Sequence, residues 1–404
     1  MNTNHRTVFL FLFFSLFSTW VYPQGVAFKE ISDDIQLDSM FNLASKNTKP
    51  LCFYIYSPSC PGCAEMNQRV FSDTKLATTY NLTFLNLKVN FESDFGHSFI
   101  EKYNIQNLPS VIFTDPAGHN LGKIYDASVS TEGLRQIAIS TASMFYDMLS
   151  LRDTFYNQKN KQAETAREFA FLLTRLNYFD EGKTVADVYF RNINSFNYDQ
   201  YEWFLMQTYL KNPAHPLFVK FLQEKSRFEE IYGKDPVENY LNYVFESSFI
   251  NAINQRDTSL LRYTLNILDY VDYREMSKKG ISHESAKLFF RTEYFRSLQD
   301  WNNFALTVEK FMTTSFVPDE LATDYILDIC RFLQSDEWIN KADGWASAYY
   351  KKNKSFGNTL AYAVTRYKKN DLKKSEKLMK KAEKLMSGDE DKALFENVKS
   401  TLRF

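Results

Sequence analysis

Cys60-Pro61-Gly62-Cys63 is the one place in this sequence where side-chain types and spacing converge on covalent chemistry. Two residues between two cysteines at the start of a helix put both sulfurs within disulfide distance. A helix N-terminus offers free backbone N–H groups and the positive end of the macrodipole, and both favour a thiolate on Cys60, the first and more exposed of the pair. Pro61 falls in the first turn, where a missing N–H costs least. Such a pair cycles between dithiol and disulfide: Cys60 attacks a substrate disulfide and Cys63 resolves the mixed disulfide. A zinc site would need two further ligands. Cys52 and Cys330 have the wrong spacing, and His97 and His119 form no paired motif, so no metal is expected. A static or vestigial disulfide stays open as the inert alternative.

The elements around the pair have to hold the start of that helix. Leu51–Tyr56 (LCFYIY) is a short apolar, β-prone run, as a buried strand requires. Residues 82–89 alternate like a second strand. Ser110–Thr114 and residues 121–125 read as two more, joined through Asp115-Pro116-Ala117-Gly118. Helices are expected over residues 38–46, over 60–80 with a break near Ser72 and Asp73, and over 93–103. Ser130 or Thr131 caps another. A βαβ start followed by a hairpin and a helix gives an α/β fold: a mixed sheet with helices on its faces.

From about Phe145 onward the pattern changes to apolar stripes at helical spacing, such as Ala166, Phe169, Ala170, Leu173 and Leu176, or Phe304, Val308 and Phe311. Short polar breaks, among them residues 177–182 and 211–216, imply antiparallel helix pairs stacked into an all-α array. Residues 356–386 resemble a tetratricopeptide repeat, without a strict 34-residue period through the region. The expected division is a leader over 1–24, an α/β domain over 25–142 and an all-helical, divergent TPR-like domain over 143–404.

The chain has 404 residues, 24% charged and 44% hydrophobic, with only four cysteines. That excludes general disorder and a disulfide-scaffold protein. A net charge of -1 gives no global field for nucleic acid or anionic lipid. Charge is uneven, however: residues 341–404 carry 16 Lys or Arg against 8 Asp or Glu. Arg6 followed by the apolar run of residues 8–17 describes a signal peptide, cut between Ser18 and Gly25. An uncleaved anchor is the alternative. No other stretch reaches spanning length. The mature chain is expected to be exported, to the periplasm in a bacterium and otherwise secreted.

The stretch from Lys49-Pro50-Leu51 to Cys63-Ala64-Glu65-Met66 resembles exported thioredoxin-like proteins. So do Val70-Phe71-Ser72-Asp73, Leu87-Lys88-Val89-Asn90 and the run from Tyr103 to Ser110. The resemblance covers roughly residues 28–140. It implies a thioredoxin fold, a cis bond before Pro109 beside the active pair, and a Leu108 backbone that docks an extended substrate. It also implies departures. Ser59 stands where the family usually has Trp, and Tyr54 stands where it often has a buried Asp that relays a proton to the second cysteine. Glu65 and Lys88 are then the candidate bases. Pro61-Gly62 carries no His to stabilise a thiolate, which leans toward reduction or isomerisation over disulfide donation. Cys52 and Cys330 read as packed thiols, and Asn81-Leu82-Thr83 as a glycosylation acceptor only in a eukaryotic secretory route. The expected function is an exported thiol–disulfide oxidoreductase with no cofactor. It would act on protein thiols and disulfides, be recycled by a redox partner, and use its helical region to bind a client. The alternative is an interaction scaffold or chaperone-like peptide binder.

Overall fold

The computed structural model describes residues 25–125, 128–271 and 282–402, so the expected leader lies outside the described residues. Five strands, β1 (Lys29–Glu30), β2 (Leu51–Tyr56), β3 (Leu85–Asn90), β4 (Ser110–Thr114) and β5 (Asn120–Ile124), form one sheet in the order β1-β3-β2-β4-β5. β3 runs parallel to β1 and β2, whereas β4 is antiparallel to β2 and β5. This is a thioredoxin-like mixed sheet with helices on both faces, and a helical region follows it. β1, two residues long, is too short to leave an alternation in the sequence.

The period of two along β2 sorts its side chains between two cores. Leu51, Phe53 and Ile55 face a cluster that includes Leu37, Met40 and Ala44 of α1 (Asp34–Asn47). The same cluster takes in Phe99 and Tyr103 of a later helix, Asp94–Tyr103. Cys52 and Tyr54 point the other way, where Tyr54 meets Phe71 edge-on at 4.8 Å and Phe84 meets Phe113 at 5.0 Å. Trimming one such buried Phe to Ala costs about 3–5 kcal/mol. The segment expected to be a broken helix is α2 (Pro61–Glu65), a π-helical turn (Met66–Val70) and α3 (Thr74–Thr83), restarted by the Asp73 cap. α3 runs to Thr83, so the next strand begins at Leu85 instead of Leu82. α4 (Asp94–Tyr103) is capped by Ser93, and α5 (Thr131–Asn157) by Ser130.

α5 is 27 residues long and crosses position 142 without a break. By internal packing the chain divides between Leu205 and Met206. The first unit therefore holds the sheet together with α6 (Ala163–Arg175) and α7 (Phe179–Asn192). Besides the packing of α6 on α5, these helices are tied to the sheet by the loop between α6 and α7. Asp115 accepts the N–H groups of Ala117 and His119, each at 2.8 Å, through one oxygen and so fixes the β4–β5 turn. Its other oxygen accepts the Tyr178 hydroxyl at 2.5 Å. The His119 and Tyr178 rings stack at 3.9 Å, and Asn177 donates to the Asn120 carbonyl at 3.1 Å. Arg152 of α5 lies over the Tyr178 ring and grips Glu181 through two nitrogens.

Past α7, Glu202 is fully buried. It accepts the Tyr189 hydroxyl and the N–H groups of Asn197 and Tyr198, which anchors the connection into α8 (Gln200–Tyr209). Burial pushes its carboxyl above the usual range. In the second unit the expected stripe Phe304, Val308, Phe311 is buried in one cluster with Tyr325, Ile329 and Leu360. No described helix is long and apolar enough to cross a membrane.

Candidate functional site

β2 ends at Tyr56, and Ser57-Pro58-Ser59 turns the chain into α2, the turn closing with the Cys60 N–H on the Ser57 carbonyl at 3.2 Å. Cys60 is the residue that caps α2. Its backbone is extended, Pro61 occupies the first helical position, and Sγ accepts the N–H of Cys63 at 3.1 Å. The two sulfurs are bonded, with Cα atoms 5.2 Å apart. Cys60 is half-buried, whereas Cys63 is only 1% exposed. Cys60 is therefore the more exposed residue of the pair, and its sulfur sits where an N–H and a helix terminus favour its thiolate.

The sheet register brings the second expected feature to the same end. Ile55 pairs with Ser110, so the start of β4 lies where β2 runs out toward Cys60. The Leu108–Pro109 bond just before it is cis. Pro109 is buried, and Leu108 is half-buried against the α1/α4 core.

Tyr54 stands behind the pair. Its hydroxyl donates to the Cys63 carbonyl at 3.1 Å and ties β2 to α2. Burial raises its pKa well above the ordinary tyrosine value, so it stays a neutral donor. The two candidate bases are engaged elsewhere: Glu65 pairs with Arg69 at 2.8 Å, and Lys88 pairs with Glu30 at 3.0 Å.

The carboxylate that does reach the Cys60 turn is Glu92, just past β3. Its Oε1 accepts the Ser59 hydroxyl at 2.6 Å and also the Ser57 hydroxyl. Ser57 Oγ in turn accepts the Ser59 N–H at 3.0 Å. The Glu92 N–H donates to Asn90 Oδ1 at 3.0 Å, which fixes the backbone of this loop. The loop is tight because Gly96 packs on the Asn90 carbonyl; a Cβ there would come within 2.0 Å of that oxygen. Nothing in the run Asn90-Phe91-Glu92-Ser93 separates Glu92 from an ordinary helix approach. The available signal was Ser59, a small hydroxyl where the family resemblance implies Trp.

The other two thiols are free and buried. Burial pushes Cys330 up to about 12 and raises Cys52 as well, so neither is a thiolate at neutral pH. The Asn81 side chain is occupied structurally: it accepts the Ala27 N–H at 2.9 Å and donates to the Gly25 carbonyl at 3.2 Å.

Residues 37–138 match the family model of a thioredoxin-like domain. The chain is also 27% identical over 129 residues to the thiol:disulfide interchange protein DsbD of Colwellia psychrerythraea. That alignment takes in 29% of this chain and 21% of the relative, so only about a fifth of the relative is spanned. Among solved structures, a Bacteroides thetaiotaomicron protein with an ascribed disulphide-isomerase role is 25% identical over 28% of this chain and 92% of its own, with a TM-score of 0.26. A Thermus thermophilus thioredoxin is 21% identical over 29% of this chain and 91% of its own, with a TM-score of 0.25.

Proposed function

We propose that this chain is an exported thiol–disulfide oxidoreductase that reduces or isomerises disulfides in protein clients. The observation that carries the reading is the asymmetry of the pair: a half-buried Cys60 at the start of α2, bonded to a Cys63 that solvent does not reach. In the reduced chain the Cys60 thiolate attacks one sulfur of a client disulfide. The S–S bond of the client breaks, a Cys60–client mixed disulfide forms, and the other client sulfur leaves as a thiolate that takes up a proton. Cys63, deprotonated, then attacks Cys60 Sγ; the second client sulfur leaves and is protonated. Two electrons and two protons have passed to the client, and the chain holds the Cys60–Cys63 disulfide. A dithiol protein, the redox partner, resets it by the same exchange in reverse. Leu108 and Pro109, at the same end of the sheet, are assigned to docking an extended client segment. The apolar run of residues 8–17 supports export. Residues 143–404, read as a TPR-like array, are assigned to binding the client or the partner.

The test is catalysed reduction of insulin disulfides by the full chain, with a small dithiol as electron donor. The expected result is precipitation of the insulin B chain well ahead of the dithiol alone. A rate equal to that of the dithiol alone would leave a structural disulfide on a binding scaffold.

A further inference from the structure

We propose that Glu92 is a positioning residue whose fixed charge sets the Cys60–Cys63 pair on the reducing side of its redox equilibrium; this rests on the oxidoreductase reading. Glu92 is exposed, yet its carboxylate is not free to swing. It is held by the hydroxyls of Ser57 and Ser59, and its own N–H is held by Asn90. Those two hydroxyls keep its carboxyl below the usual carboxylate range, so it is ionised wherever Cys60 titrates.

The consequence follows from the position of Ser59, the residue directly before Cys60. A negative charge hydrogen-bonded to Ser59 stands beside the cap of α2, where the Cys63 N–H supports a thiolate on Cys60. The charge opposes that thiolate and leaves the uncharged disulfide untouched. Both nearby hydroxyls are also committed to Glu92, so neither is a donor for Sγ. The reduced, partly ionised form is destabilised relative to the disulfide, which makes the dithiol a stronger electron donor. Other titratable groups on the surrounding elements are Tyr54 and Tyr56 of β2, Glu65 and Arg69 past Cys63, Glu30 and Lys88 on β1 and β3, and Asp94 and His97 of α4. Glu65 pairs with Arg69 and Glu30 with Lys88, and Glu92 is tied to the Cys60 turn directly, through the Ser57 and Ser59 hydroxyls.

The experiment uses the full chain and Glu92→Gln, which keeps an acceptor for both serines and removes the charge. Two quantities are read: the pH midpoint of thiolate formation by ultraviolet absorbance, and the equilibrium constant of the pair against glutathione. Glu92→Gln should lower the thiolate midpoint and shift the equilibrium toward the dithiol by about three- to tenfold; tenfold corresponds to about 30 mV. Glu92→Lys should move both further in the same direction, and high salt should shrink the differences. Ser59→Ala, which keeps the charge and removes one of its tethers, should shift both less than Glu92→Gln. Unchanged values in both Glu92 variants, with wild type exchanging normally, would overturn the role of Glu92. A wild-type pair that does not exchange at all would instead overturn the oxidoreductase reading beneath it.

Discussion

Full-length chain carrying Cys63→Ala is expected to accumulate mixed disulfides with protein clients, while Cys60→Ala forms none and loses turnover by on the order of a thousandfold or more. The asymmetry comes from the site. Cys60 is the half-buried residue of the pair, and its Sγ faces the N–H of Cys63 at the start of α2. Cys63 is enclosed by α2 and by Tyr54, so it meets a substrate sulfur only after Cys60 has captured one. Removing the resolving thiol stalls the reaction at the intermediate, whereas removing the nucleophile prevents it from starting. Cys52 and Cys330 cannot substitute, because both are buried with raised pKa values. Mixed disulfides that persist equally in Cys60→Ala, read on non-reducing gels with mass mapping of the linked cysteine, would reverse the assignment.

The second large effect concerns the connection between the sheet and the first helices after it. A fragment of residues 25–145 is expected to fold but to be about 2–4 kcal/mol less stable than one of residues 25–205. The cut removes the charge-assisted bond from Tyr178 to Asp115 and the stacking of Tyr178 on His119. It also removes the Asn177 contact and the clamp of Arg152 on Glu181. Against the roughly 5–15 kcal/mol of a whole domain, that is a large share. Tyr178→Ala within residues 25–205 should reproduce most of the loss, measured as the change in denaturant midpoint. Reduction of a small disulfide should survive both changes. Cys60, Cys63 and Pro109 sit at the end of the sheet where β4 begins, and the Asp115 turn is at the end where β4 stops. Equal stability of the two fragments would mean that the α6–α7 loop adds nothing to the sheet. An unfolded 25–145 fragment would mean that the sheet has no core of its own.

The parts legible in the sequence were those encoded locally. LCFYIY is a strand because six apolar, β-prone residues in a row have to be buried, and Cys60-Pro61-Gly62-Cys63 carries its own helix start. The length of α5 was also present: Leu134, Ala138, Phe145 and Met148 continue one buried stripe, and no Gly or Pro interrupts it from Leu134 to Asn157. A border at 142 cuts that stripe. The features that escaped join residues far apart in the chain. Tyr178 and Asp115 are 63 positions apart, and Ser59 and Glu92 are 33 apart. No periodicity marks either contact, because each is made by side chains of loops whose meeting depends on the finished sheet. Glu65 and Lys88 are the candidate bases that the sequence offers in place of a buried Asp. The ion pairs with Arg69 and Glu30 give both of them another occupation.

The most direct test is the thiol–disulfide equilibrium of the folded, full-length chain in glutathione buffers of graded ratio, quenched by alkylation and read by mass. The expected result is a single two-electron transition in which Cys60 and Cys63 change together while Cys52 and Cys330 stay as thiols. Its potential should lie nearer to about -270 mV than to about -120 mV, on the reducing side of the thioredoxin-like range. A Cys60–Cys63 bond that stays closed in every buffer until the chain unfolds would contradict the account, because a disulfide that cannot open in the folded protein has no thiolate to give a client.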